Sequence, residues 1–174
     1  MIDFSRNHFE LFGVPERFAI DMATLDRAFR SLQTEVHPDR HATAGDADRR
    51  MALQASARVN EAYRALRDPV TRAEYLLSLH GIDAADERDT SLSLEFLEEA
   101  LARREAVADA AAAGDEEALE RMLGEVRTES RLRERELERM LDVDGAWQKA
   151  RGKVRELRFL AKLGQDIDVA IVQT

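Results

Sequence analysis

Leu25-Asp26-Arg27-Ala28-Phe29-Arg30-Ser31-Leu32-Gln33-Thr34-Glu35-Val36-His37-Pro38-Asp39 decides the fold. Leu25, Phe29, Leu32 and Val36 recur at spacings of four, three and four, the stripe of a helix with one buried face. Pro38 disfavours helical geometry at His37, so the helix stops there. Beyond the break, Met51, Ala55, Val59, Ala62 and Leu66 repeat the same period. The break therefore joins two helices that can pack antiparallel, with His37-Pro38-Asp39 in the polar loop between them.

Composition extends that reading to the whole chain. Of 174 residues only eight are Gly and three Pro, and Ala, Leu, Glu and Arg are abundant, which favours an all-α protein. Cysteine is absent. That excludes disulfides, thiolate zinc sites, thiol nucleophiles and an iron–sulfur cluster held by the chain's own cysteines. No apolar run approaches a membrane span and no basic-then-apolar leader opens the sequence, so the expectation is a cytoplasmic protein without a membrane partner. Residues 1–80 hold eleven basic and twelve acidic side chains, a net of −1, whereas the remainder holds fifteen and twenty-three, a net of −8. Acidity of that kind argues against nucleic acid as a partner.

Gly81-Ile82-Asp83-Ala84-Ala85-Asp86-Glu87-Arg88-Asp89-Thr90-Ser91 interrupts the periodicity, with Gly81 where a helix stop is expected. We read 81–93 as a solvated linker between an amino-terminal part, 1–80, and a second part, 94–174. In the latter, Ser93 caps a helix from Leu94 to Ala113, Gly114 ends it, and Asp115 caps the next, which runs to about Leu141. Asp144 is expected to open the last. Leu119, Met122, Leu123 and Val126 share a face with Leu137, Met140 and Leu141, while Ser130 and Arg133 interrupt it. Short connections imply an antiparallel three-helix bundle. The charge run Arg131 to Glu138 reads as a solvated face with opposite charges side by side.

The first helix of the bundle carries two apolar stripes. At ~100° per residue, Phe96, Ala100, Val107 and Ala111 fall together, and Leu94, Leu97 and Leu101 gather about a third of a turn away. Either both stripes meet the other two helices, or Leu97 and Leu101 stay exposed beside Glu98, Glu105 and Asp109, an apolar centre with an acidic rim suited to a protein partner. On the last helix Trp147, Ala150, Val154, Leu157 and Ala161 make the core stripe. Phe159 projects to nearly the opposite side, a place explained either by a contact or by packing against the amino-terminal part.

Catalytic and metal chemistry find little support. His37, Asp39 and His41 alternate in one short loop, and such residues rarely converge on an ion without a second ligand segment. No nucleophile–base pair, glycine-rich phosphate loop or paired-carboxylate pattern accompanies them. The expectation is no enzyme, no cofactor and no metal, with His8 and His80 in structural or surface roles.

The flanking residues carry a family resemblance. Phe9-Glu10-Leu11-Phe12-Gly13-Val14-Pro15, the His37-Pro38-Asp39 loop and Asn60-Glu61-Ala62-Tyr63-Arg64-Ala65-Leu66-Arg67-Asp68-Pro69 resemble the J-domain of DnaJ-type co-chaperones. Two further runs, Arg72-Ala73-Glu74-Tyr75-Leu76-Leu77-Ser78-Leu79-His80-Gly81 and Val154-Arg155-Glu156-Leu157-Arg158-Phe159-Leu160-Ala161-Lys162-Leu163, resemble the HscB family, J-proteins dedicated to iron–sulfur cluster assembly.

The resemblance implies a J-domain helical hairpin over 1–80 and a carboxyl-terminal three-helix bundle that binds the cluster scaffold. His37, Pro38 and Asp39 would contact a DnaK-type chaperone, HscA-like in this family, and trigger its ATPase. A rigid loop lowers the ordering cost of binding, and Arg27, Arg30 and Arg40 add positive potential around it. Gln33-Thr34-Glu35-Val36 departs from the family, which places Lys or Arg and a Tyr before the loop. For the IscU-like scaffold the matching positions are Leu97, Leu101, Glu105, Asp109 and Phe159, with departures at Glu98, where a larger apolar residue is expected, and Ala102, where an acid is. Two competing readings are a J-protein with a different client and a structural helical spacer.

Overall fold

The computed structural model describes residues 3–36, 45–84 and 92–173, and every regular element among them is helical. The chain divides into two units, Met1–Leu76 and Leu77–Thr174.

In the first unit α1 (His8–Phe12) is too short to hold itself and is tied at both ends. The Asn7 side chain accepts the Glu10 N–H at 2.9 Å while the Glu10 carboxylate accepts the Asn7 N–H at 2.8 Å, a reciprocal cap. Asp21 accepts from the Ala23 and Thr24 amides and starts α2 (Met22–Glu35). The next helix, α3 (Asp46–Arg67), has acids in its first turn and Arg64 and Arg67 in its last, matching the helix dipole.

Two contacts show that α2 and α3 run antiparallel. Tyr63, late in α3, stacks on Phe29 at 3.9 Å and donates its hydroxyl to Asp26 at 2.8 Å. Ala52 and Ala55, early in α3, share a cleft with Val36 at the end of α2. Leu25, Val36, Ala55, Val59, Ala62 and Leu66 are buried as their spacing predicts, and Phe29 and Leu32 are half-buried. Met51 is a correction. It is 40% exposed and Ala52 takes the buried position, because Met51 lies at the margin of the stripe through Val59 and Leu66.

Helix α4 (Pro69–Leu79) crosses the division between the units. Gly81 stops it where predicted, with φ of 72°; the Gly81 and Ile82 amides return to the Ser78 and Leu77 carbonyls at 3.0 and 2.9 Å. Ile82 and Ala84 are buried, so the start of the predicted linker is packed rather than solvated. Positions 85–91 lie outside the described residues.

The second unit comprises α5 (Leu94–Ala113), α6 (Glu116–Glu138) and α7 (Trp147–Gln173). Ser93 accepts the Phe96 amide, Gly114 ends α5 at φ of 67°, and Asp115 accepts the Ala118 amide, all as read from the sequence. Leu119, Leu123 and Val126 of α6 close on Leu160, Leu163 and Ile167 of α7, and Val107 and Ala110 of α5 join them. Gly164 brings the backbone of α7 near α6, since a Cβ there would stand 3.6 Å from Val126.

Two expectations change in this unit. Asp144 does not cap the last helix: a π-helical turn, Arg139–Val143, widens the end of α6, Gly145 turns the chain at φ of 60°, and α7 begins at Trp147. On α7, Leu160 rather than Ala161 continues the buried stripe from Leu157 toward Leu163 and Ile167.

Candidate functional site

Arg27 and Arg30 are exposed on α2. Arg27 donates to Thr24 Oγ1 at 2.8 Å, and the Tyr63–Asp26 hydrogen bond fixes the same turn of α2 against α3. Arg27 and Arg30 are therefore carried by a braced helix. His37, Pro38, Asp39 and Arg40 lie outside the described residues, as does His41.

On α5 the open alternative between two packed stripes and one exposed stripe is resolved by exposure. Leu97 is 48% and Leu101 60% exposed, whereas Ala100, Val107 and Ala110 are buried. Leu94, at 72%, continues the apolar face toward the start of the helix. Glu98, Glu105 and Asp109 are exposed as well. Spacings of four place Leu97, Leu101, Glu105 and Asp109 along one side of α5.

Phe159 requires a correction. It is not a lone projecting ring but is half-buried against the α6–α7 core, with Phe96 of α5 edge-on at 5.6 Å and the Arg104 guanidinium 5.3 Å from its centroid. The helix has turned it toward α5, so Phe159 borders the leucine-bearing helix through Phe96 and Arg104. Arg104 was not among the candidates from the sequence. Its signal was its place three residues after Leu101 and seven after Leu97, on the same face.

A second feature escaped the sequence reading. Arg103 donates to Glu99 on its own helix at 2.6 Å and to Glu129 on α6 at 2.5 Å. Glu129 also receives Arg133 at 3.3 Å, the Nε of Arg133 stands 2.7 Å from Glu156 on α7, and Lys153 reaches Glu156 at 2.9 Å. Burial acts against the charge on Arg103, but the hydrogen bonds and charges of Glu129 and Glu99 outweigh it and its pKa is raised. Arg133 thus departs from the solvated charge run in which it was placed. It fills the gap in the α6 apolar stripe with ion pairs rather than with water.

Among the described residues no group of three or more His, Asp or Glu is arranged to hold a metal ion, and no helix is long and apolar enough to cross a membrane.

Comparison with known proteins follows the same two-part division. The family described as "DnaJ domain" matches residues 7–75, and that described as "HSCB C-terminal oligomerisation domain" matches 92–168. A co-chaperone protein HscB homolog of Burkholderia vietnamiensis is 46% identical over 171 residues, covering 98% of this chain and 97% of its own. The chain belongs to the HscB family. Another HscB homolog, from Paraburkholderia xenovorans, is 45% identical over the same shares. Among solved structures, the chaperone HscB from Vibrio cholerae superposes with a TM-score of 0.85 at 38% identity, over 97% of this chain and 99% of that one. The human co-chaperone protein HscB gives 0.91 at 25% identity, over 99% and 86%. Membership in the HscB family makes this chain a J-type co-chaperone of iron–sulfur cluster assembly, a regulator that works through a DnaK-type chaperone.

Proposed function

We propose that this protein stimulates the ATPase of an HscA-like chaperone in the cytoplasm and brings to it an IscU-like cluster scaffold, without catalytic chemistry of its own. His37-Pro38-Asp39 is the trigger, with Arg27, Arg30 and Arg40 supplying the positive surround. Leu97, Leu101 and Phe159 are the apolar anchors for the scaffold, and Glu105 and Asp109 form its acidic rim. The observation that carries this reading is the pair of exposed leucines on a well-capped helix of the second unit. Large apolar side chains held open to water in a line, beside carboxylates, are the composition of an interface centre and its rim.

The test measures the chaperone ATPase rate with and without purified scaffold. His37→Gln should bring stimulation to near background while scaffold binding survives. Replacing Leu97 and Leu101 together by Ala should keep scaffold-free stimulation and remove the additional rate produced by the scaffold, because truncating anchors at the centre of an interface costs ~2 kcal/mol or more, about thirtyfold in affinity. Full stimulation by the His37→Gln protein would remove the loop from the mechanism. An undiminished scaffold effect in the double variant would remove the leucines.

A further inference from the structure

Helix α5 is lightly seated on its neighbours. Its buried residues are Ala100, Val107 and Ala110, against rows of leucine and isoleucine offered by α6 and α7. Small side chains remove little apolar area from water, so they hold the helix with little energy per turn. A cavity of about 130 Å³ remains between α5 and the other two helices, beside Arg103, Val107, Met122 and Ile167. Apolar packing alone therefore leaves the pitch of α5 weakly fixed, and in the half that carries Leu94, Leu97 and Leu101 it consists of buried Ala100 and of Phe96 edge-on to Phe159.

Arg103 supplies what the packing lacks. It stands two residues after Leu101, and its fork spans Glu99 on α5 and Glu129 on α6. From Glu129 the ion pairs continue through Arg133 to Glu156, whose side chain is 15% exposed. Pairs shielded to this degree are less screened by salt than surface pairs, and the planar guanidinium fixes direction as well as distance.

We propose that Arg103 is a positioning residue for the docking face: its bridge to Glu129 sets the seat of α5 on α6 and α7, and so the placement of Leu97 and Leu101 relative to Phe159. The proposal rests on the reading of those three residues as scaffold anchors. Arg103 itself is 32% exposed and turned toward α6, so it acts through the helix rather than as an anchor.

The full chain carries the test, in three variants: Arg103→Ala, Arg103→Lys and Glu129→Gln. Scaffold affinity by calorimetry should fall roughly tenfold with Arg103→Ala, the scale of one interface contact, while Arg103→Lys, which keeps the charge but not the fork, falls less. Glu129→Gln should reproduce the loss although it alters α6 and not α5. In the free protein, amide exchange in 94–102 should quicken with Arg103→Ala while α6 and α7 keep their protection. Combined with Leu101→Ala, the two losses should be less than multiplicative, since a misplaced anchor has less to lose. Unchanged affinity in Arg103→Ala, with Leu101→Ala still weakening binding, overturns the positioning role alone. A loss in Arg103→Ala without faster exchange in 94–102 also overturns it and makes Arg103 a direct contact. No loss in either Arg103→Ala or Leu101→Ala overturns the docking face together with the positioning role.

Discussion

His8 shows how much a single buried side chain can say about conditions. Its ring stacks on Tyr75 at 4.0 Å, its amide donates to the Tyr75 hydroxyl at 3.1 Å, and its Nδ1 is buried without a hydrogen-bond partner. Burial, with the charge of Arg58 adding to it and Glu61 opposing, holds the imidazole pKa below its ordinary 6.5. The unfolded chain therefore takes up a proton at His8 before the folded one does. The stability this group contributes is complete above about pH 6.5 and is lost as pH falls from there through the depressed native value. Thermal melts between pH 7 and pH 5 should fall less steeply for His8→Phe, which keeps a flat ring against Tyr75, than for the parent protein; parallel slopes would show that His8 does not titrate in this window. The sequence left His8 between a structural and a surface role and held no signal of its burial, which depends on Tyr75, sixty-seven residues away. Phe159 was misplaced for a related reason: periodicity gave its angle on α7, but not that Phe96 and Arg104 of α5 would come to meet it.

At the scale of elements, the ends of helices were the most legible part of the fold, because caps are local chemistry. Ser93, Gly114 and Asp115 are each bonded as their residue types predict. Replacing Gly114 with Ala forces a Cβ into left-handed geometry and should destabilise the protein by about 1–2 kcal/mol. Ser93→Ala leaves the Phe96 amide without its cap and should cost about 1 kcal/mol. Denaturant titrations would check both, and a neutral result at Gly114 would mean that the turn relaxes into another conformation. The start of α7 was not legible, because a π-helical turn gives no sequence period of its own and shifts the chain by a residue before Gly145. The α5 face was legible as two stripes, but not whether the second, with Leu97 and Leu101, would be packed like the first. That was decided by the small residues Ala100 and Ala110, which let α5 approach its neighbours on one side and leave Leu97 and Leu101 on the other.

For the molecule as a whole, charge separates the two jobs that the chain is proposed to perform. The part up to His80 is nearly neutral, so Arg27 and Arg30 stand out locally on α2, whereas the rest carries a net of −8. A scaffold approaching α5 therefore meets a net negative part of the chain, whereas a chaperone approaching α2 meets nearly balanced charge in which Arg27 and Arg30 are the cations of the helix. Reversing both Arg27 and Arg30 to Glu should slow association with the chaperone more than it changes dissociation, since exposed charges act mainly on encounter. The difference from the parent should shrink as salt is raised, because the Debye length falls from about 10 Å at 0.1 M to about 3 Å at 1 M. Scaffold affinity should be unaltered, as neither arginine belongs to the second unit. Stopped-flow association rates across a salt series, with scaffold titrations beside them, measure all three. A loss of chaperone affinity that salt does not diminish would place Arg27 and Arg30 in a desolvated contact rather than in a steering field, and a parallel loss of scaffold affinity would show that the reversal had disturbed the fold.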